Sequence, residues 1–267
     1  TIFSASFFGK SARTSGQSGH PVRFIDCRIT VSFPCFGALV RWRTDNGARR
    51  KTRAGLARLE RAAASRGFSL TPVARNLVDL AWKDQPPRPT AQAQAHDLEF
   101  AGRSSAEKRR EIGAAVKAAG ADATLITAPP SIAWLFNIRG GDVSRSPLPL
   151  GRAIVNADGT AVLFMAPEKI GNDLPAFLGD EVDIRAESDV EDALTRLGAE
   201  KRVVAIDGAL APVRYASLLE EAGAKLVELT DPCALPRATK NAAELDGTRA
   251  AHVRDGAAVT RFLHWVA

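Results

Sequence analysis

The side chains that most often carry chemistry, His, Cys and clustered carboxylates, are sparse in this sequence and poorly spaced for joint work. A metal site needs several His, Asp, Glu or Cys converging on one point, with H-x-x-x-H as the readable local signature. His20, His96, His252 and His264 form no such pair, and His252 and His264 stand twelve positions apart on one helical stretch, more than three turns. Cys27, Cys35 and Cys233 are an odd set without a C-x-x-C pair, so they fit neither a disulfide framework nor a zinc site. Unpaired thiols of that kind suit a reducing cytoplasm. Ser-His-Asp catalysis lacks its G-x-S-x-G elbow. The expectation is a chain with no catalytic, cofactor-binding or metal-ligating residue of its own.

Two loops deserve weighing against that expectation. A phosphate loop needs G-x-x-x-x-G-K-[ST], because successive backbone N–H groups must cradle the phosphates. Gly9-Lys10-Ser11 supplies only its second half, with Ser4 in the first glycine's place. Arg139-Gly140-Gly141-Asp142 leaves a helix and enters extended chain, and its glycines permit positive φ. Arg139 and Asp142 could lock a tight turn as an ion pair or meet a partner; the locked turn is the expected reading.

Composition narrows the class further. The chain has 267 residues, 45% hydrophobic and 25% charged, room for one or two ordinary globular domains with a sizeable core. No run approaches the roughly 20 apolar residues of a membrane-spanning helix, and Ser4 to Ser18 is too polar for a secretory signal. The sequence opens on Thr1 without an initiator Met, as a processed chain or one starting inside a longer reading frame would. Its net charge of +6 is uneven: residues 1 to 60 carry eleven Lys/Arg against Asp26, Asp45 and Glu60, and the remainder is near neutral. The Arg49-Arg50-Lys51-Thr52-Arg53 cluster could touch phosphates, but no recognition motif accompanies it, so nucleic acid is not an expected partner.

The elements that position these residues are legible from Thr52 onward; residues 1–47 show no sustained period. Leu56, Leu59 and Ala63 have helical spacing with Gly67 closing the turn, Leu70 to Val73 reads as a strand, and Asn76 caps a short helix. Lys83 to Pro89, followed by the Ala/Gln run to Ala95, reads as a linker. Ser104 and Glu107 make a capping box for a helix with Ile112, Ala115, Val116 and Ala119 buried and Gly120 as its stop. Strands follow at Ala123 to Thr127, Gly151 to Asn156 and Thr160 to Met165, the last two joined through Asp158-Gly159. Ser188 and Glu191 suggest a further capping box, Arg202 to Ile206 a central strand, Pro212 a helix start and Lys225 to Leu229 a last strand. A hairpin inside alternating β and α elements implies a mixed sheet flanked by helices. Asn241 and Glu244 then open a helix of about 26 residues, ~39 Å, whose Val259, Phe262, Leu263 and Val266 stripe has nothing after it in sequence to cover it.

Three blocks resemble one family. Ser131-Ile132-Ala133-Trp134-Leu135-Phe136-Asn137-Ile138-Arg139-Gly140-Gly141-Asp142 is similar to the middle domain of long-form Xaa-Pro aminopeptidases (aminopeptidase P), where IAWLFNLRGSD recurs. Lys240-Asn241 with Glu244, and Arg249 to Ala258 continuing through Trp265, resemble the stretch leading into that family's "pita-bread" catalytic domain. Asn76-Leu77-Val78-Asp79 with Trp82, Asp84 and Pro86 looks like the end of its first domain. The family's aromatic-rich stretch after the Arg-Gly-x-Asp turn is replaced here by Ser146 to Ile154, and residues 1–47 do not resemble the first domain.

The resemblance implies a creatinase N-terminal-like α/β fold: mixed β-sheet flanked by helices, with a long C-terminal helix. It implies a division into an unassigned basic segment (1–47), the end of a first creatinase-like domain plus linker (48–96), a second such domain (97–235) and the first helix of a catalytic domain (236–267). In that family two divalent metals, commonly manganese, are held by two Asp, one His and two Glu of the catalytic domain. Their bridged water attacks the bond between an N-terminal residue and a following proline. All five ligands would lie beyond Ala267, so the chain is expected to be inactive alone, cytoplasmic, and to serve in shaping a substrate cleft and in homodimerisation. A stand-alone protein-interaction module is the alternative.

Overall fold

The structure is a computed structural model and describes residues 39–41, 51–67, 69–71 and 81–267. Gly9-Lys10-Ser11, His20, Cys27, Cys35, Arg49, Arg50 and the helix expected after Asn76 lie outside the described residues.

Part of the segment that shows no sequence period does hold a strand. β1 (Leu39–Arg41) pairs in parallel with β2 (Ser69–Thr71), and α1 (Arg53–Ala64) lies between them in sequence. Thr52 caps α1, its hydroxyl accepting from the Gly55 N–H at 3.1 Å. The same segment is tied to the rest of the molecule by the Val213 N–H donating to the Lys51 carbonyl (2.7 Å) and the Ala54 N–H to the Gly208 carbonyl (2.9 Å).

The stretch expected to be linker ends in a two-residue strand, β3 (Gln94–Ala95), followed by the one-turn helix α2 (Leu98–Ala101). The Ser104–Glu107 capping box forms as its spacing requires and starts α3 (Ser105–Ala118); Gly120 ends it at φ +72°. Then come β4 (Ala123–Ile126), α4 (Pro129–Leu135), β5 (Ile138–Arg139) and the hairpin of β6 (Arg152–Asn156) with β7 (Ala161–Met165). α5 (Leu174–Leu178) leads to β8 (Val182–Ala186), a strand that the sequence reading passes over. The Ser188–Glu191 capping box does not form. Residues Glu187–Asp189 make a tight 3-10 turn, α6 (Val190–Ala199) starts after it, and Glu191 instead meets Arg214 at 3.1 Å. β9 (Val203–Ile206), α7 (Val213–Ala222), β10 (Lys225–Glu228), α8 (Ala234–Ala238) and α9 (Ala242–Val266) complete the order.

Six strands form one mixed sheet in the order β10-β9-β4-β6-β7-β8. β4 and β6 are antiparallel, as are β6 and β7, and the remaining pairs are parallel. Period-2 alternation sends side chains to two separate cores. Ala153, Val155, Leu163, Met165 and Ala205 pack under α3 and α4, whereas Leu125, Ile154, Phe164, Val204 and Ile206 pack under α6 and α7. Both faces are therefore covered, which is why these strands read as nearly continuous apolar runs. α6 and α7 approach so closely at Gly198 that a Cβ there would collide with Ala222.

α9 contrasts with all of this. It runs 25 residues from an Asn241–Glu244 capping box, its chief packing is against α2, and every residue from His252 to Ala267 is exposed.

Candidate functional site

A cleft of about 380 Å³ opens where α8 and the start of α9 lie over α3 and α4. Lys108 and Trp134 form its inner side, Leu235 and Pro236 its apolar wall, and Asn241 and Glu244 its outer rim.

Lys108 is placed there by helix geometry. It stands four residues ahead of Ile112 and eight ahead of Val116, on the buried stripe of α3, and is only 2% exposed. A buried ammonium needs hydrogen bonds, and it has them: Nζ donates to the Trp134 carbonyl (3.1 Å) and to Asn137 Oδ1 (2.6 Å), and lies 4.8 Å from the Trp134 ring centroid. Burial lowers its pKa to about 8; the Glu244 carboxylate opposes the shift, and Arg139 and Arg103 add to it.

Asn137 serves this arrangement at φ +50°, a left-handed conformation that asparagine tolerates better than most side chains. Its Nδ2 donates to the Arg103 carbonyl at 2.8 Å, and its own carbonyl accepts the His96 N–H at 2.8 Å. His96 stacks on Phe100, and burial, with Arg139 and Lys108 next, lowers its pKa.

The ion pair expected between Arg139 and Asp142 is not what the turn uses. β5 pairs antiparallel with β3, Gln94 opposite Arg139, and the Arg139 guanidinium donates to the Ile138 (2.9 Å) and Ala133 (3.3 Å) carbonyls. Beyond it the chain lies against residues 147–149, with the Gly140 N–H donating to the Pro147 carbonyl at 3.3 Å and no room at Gly140 for a Cβ beside Pro149. That path delivers Asp142 to Lys169, whose Nζ sits 2.7 Å from Oδ2, the two side chains being 0% and 3% exposed. The same oxygen accepts the Leu150 N–H at 2.6 Å, and Lys169 also donates to the Leu150 carbonyl. The motif's Asp is thus a buried structural clamp.

The other candidates stay apart. His252 Nδ1 lies 2.8 Å from the Thr248 carbonyl of its own helix, to which it can only donate, and is exposed, as is His264. Cys233 is buried, and that burial, with Asp231 beside it, pushes its thiol pKa well up. Asp231 and Asp207 are near neighbours, but their oxygens are already committed. Asp231 accepts from the Ser131 hydroxyl (2.5 Å) and the Cys233 N–H (2.9 Å), and Asp207 accepts from the Asp231 N–H (2.8 Å). Among the described residues no group of three or more His, Cys, Asp or Glu is gathered to hold a metal. The described residues thus bring together no ligand set of the kind that the resemblance implies for a whole enzyme's dinuclear centre. Sequence reasoning missed Lys108; its signal was a lysine interrupting the apolar stripe ahead of Ile112.

The fold is an α/β domain of the creatinase and prolidase amino-terminal type. Residues 84–244 match the family described as Creatinase/Prolidase N-terminal domain, and the chain belongs to that family. More particularly, it is 34% identical over 211 residues to a probable Xaa-Pro aminopeptidase P of Paracoccidioides brasiliensis, and 35% identical over 210 residues to one of Coccidioides posadasii. Each alignment covers 75% of this chain and 34% of the relative, so the chain spans about a third of the length of these curated relatives. The crystal structure of X-prolyl aminopeptidase from Caenorhabditis elegans, described as a cytosolic enzyme with a di-nuclear active site, matches with a TM-score of 0.75 at 23% identity. That match covers 86% of this chain and 37% of the other and shows a shared fold.

Proposed function

We propose that this chain is a non-catalytic front portion of a metal-dependent Xaa-Pro aminopeptidase, and that it shapes the substrate cleft and contributes to a homodimer. The observation that carries the reading is the family match over residues 84–244, together with curated relatives of which the chain aligns with only 34% of the length. The parent enzyme would remove the N-terminal residue ahead of proline with two divalent metals, Mn²⁺ by expectation, held by residues outside this chain. A cytoplasmic location suits that reading, and no helix among the described residues is long and apolar enough to cross a membrane. The division at residues 47, 96 and 235 belongs to the same proposal.

The test is an assay of the purified chain with Mn²⁺ against Xaa-Pro peptides, beside sedimentation to read its oligomeric state. No metal-dependent release of the N-terminal residue, together with a dimer, is the expected outcome. Metal-dependent release by the chain alone would overturn the non-catalytic assignment, and a monomer at all concentrations would remove the dimer. The exposed apolar side chains of α9, Phe262, Leu263, Trp265 and Val266, favour a second reading as a stand-alone interaction module. A monodisperse, metal-free chain that resists proteolysis within residues 242–266 would support it.

A further inference from the structure

The start of α9 holds an arrangement that does more than cap a helix. Asn241 Oδ1 accepts the Glu244 N–H at 3.0 Å, and Glu244 Oε2 accepts the Asn241 N–H at 3.0 Å, which is the whole of the capping box. The box leaves the Asn241 Nδ2 amide unused. That amide donates across 140 positions of sequence to the Ala101 carbonyl at 2.8 Å. Ala101 is the last residue of α2, and carbonyls at a helix end lack intrahelical partners. One asparagine therefore closes the N-terminus of α9 and the C-terminus of α2 at once.

Gly102 is the other half of the contact. It ends α2 at φ +67°, and a Cβ there would collide with the Asn241 amide, so glycine is required both by the left-handed backbone and by the approach of Asn241. The turn from Gly102 to Ser104 is held from its far side as well: Asn137 Nδ2 donates to the Arg103 carbonyl and Asn137 Oδ1 accepts from Lys108. Two asparagine amides thus hold the chain on either side of Gly102, Asn241 on the Ala101 carbonyl and Asn137 on the Arg103 carbonyl. Beyond its first turns α9 has little else to hold its direction, since its chief packing is against α2.

We propose that Asn241 is a positioning residue: its amide docks on the Ala101 carbonyl over Gly102 and sets the angle at which the terminal helix leaves the α/β unit. Capping alone would make any of Ser, Thr, Asp or Asn interchangeable at this position. Docking selects asparagine, because its amide puts the acceptor for Glu244 and the donor for Ala101 on two separate atoms, whereas aspartate has no donor and serine or threonine offers a single, nearer oxygen for both bonds. The inference holds whatever the helix carries, so it stands or falls separately from the peptidase reading.

The experiment places spin labels on the full chain at positions 200 and 257, both exposed, through non-canonical residues that leave the native cysteines intact. Interlabel distances are compared for the unaltered helix start, Asn241→Ser, which keeps a cap acceptor and loses the amide donor, and Gly102→Ala, which obstructs the dock. A single narrow distribution is expected before substitution, with each variant broadening it at least about twofold, as for a hinge released at an element end. Far-UV helicity should be unchanged in Asn241→Ser. Distributions for Asn241→Ser that superimpose on the original overturn the proposal. So does broadening accompanied by lost helicity in that variant, which would make capping the role. Should Gly102→Ala fail to fold, Asn241→Ser still decides the matter.

Discussion

The six-stranded unit and the terminal helix are built on opposite terms. In the first, apolar side chains from both faces of the sheet are sealed under helices: Leu163, Phe164 and Leu194 are all 0% exposed. In the second, Val259, Phe262, Leu263 and Val266 are 55%, 59%, 60% and 62% exposed, although their spacing along the helix is that of a packed stripe. Local signals start both equally well, since each is opened by a complete capping box. What separates them is tertiary cover, from which most helical stability in proteins derives.

The widest gap between the two regions should come from removing charge from the interior. Asp142→Ala leaves the Lys169 ammonium buried without its carboxylate, and denaturant melts should show a loss of about 3–5 kcal/mol. A cost below about 1 kcal/mol would mean that water reaches the pair. Next comes the sheet: Leu163→Ala opens a cavity at a site with no exposure and should cost about 2–4 kcal/mol by the same melts.

Lys108 gives a smaller effect, with a direction. Its folded pKa of about 8 lies below that of an unfolded lysine, so the unfolded chain holds the extra proton between roughly pH 8 and 10.5. Stability attributable to Lys108 should rise with pH across that window, by an upper bound of about 3 kcal/mol that solvent in the cleft reduces. Below pH 8 the cost is constant and fully present. Comparing melts of the native chain and Lys108→Met at pH 7.5 and 10 isolates the effect; equal slopes for the two would refute it. Smallest is the helix itself, where Phe262→Ala should change stability by less than about 0.5 kcal/mol.

The sequence shows most where structure is local. The boxes at Ser104 and Asn241, the stop at Gly120 and the Asp158-Gly159 hairpin each depend on residues within one turn of each other, and each is present. Legibility ends where partners are distant. β1 exists through pairing with β2 some 30 positions on, and β3 through pairing with β5. Asp142 looks ready for Arg139 three positions away, but finds Lys169 because the Gly140 turn lies against residues 147–149. Ser188 and Glu191 have the right spacing for a cap, yet Glu191 is drawn to Arg214 on α7. Lys108 was readable in principle, as a cation on an apolar stripe, and only its acceptors on α4 and Asn137 show why it is tolerated.

The contrast between a self-supporting α/β unit and a helix held mainly at its first turn is tested most directly by native-state hydrogen exchange on the purified chain. Amides of β4, β6, β7 and β9 should exchange only through global unfolding, while amides of residues 252–266 should exchange at far lower opening free energy, with protection along α9 falling away from Asn241. Protection of residues 252–266 equal to that of the central strands would contradict this account.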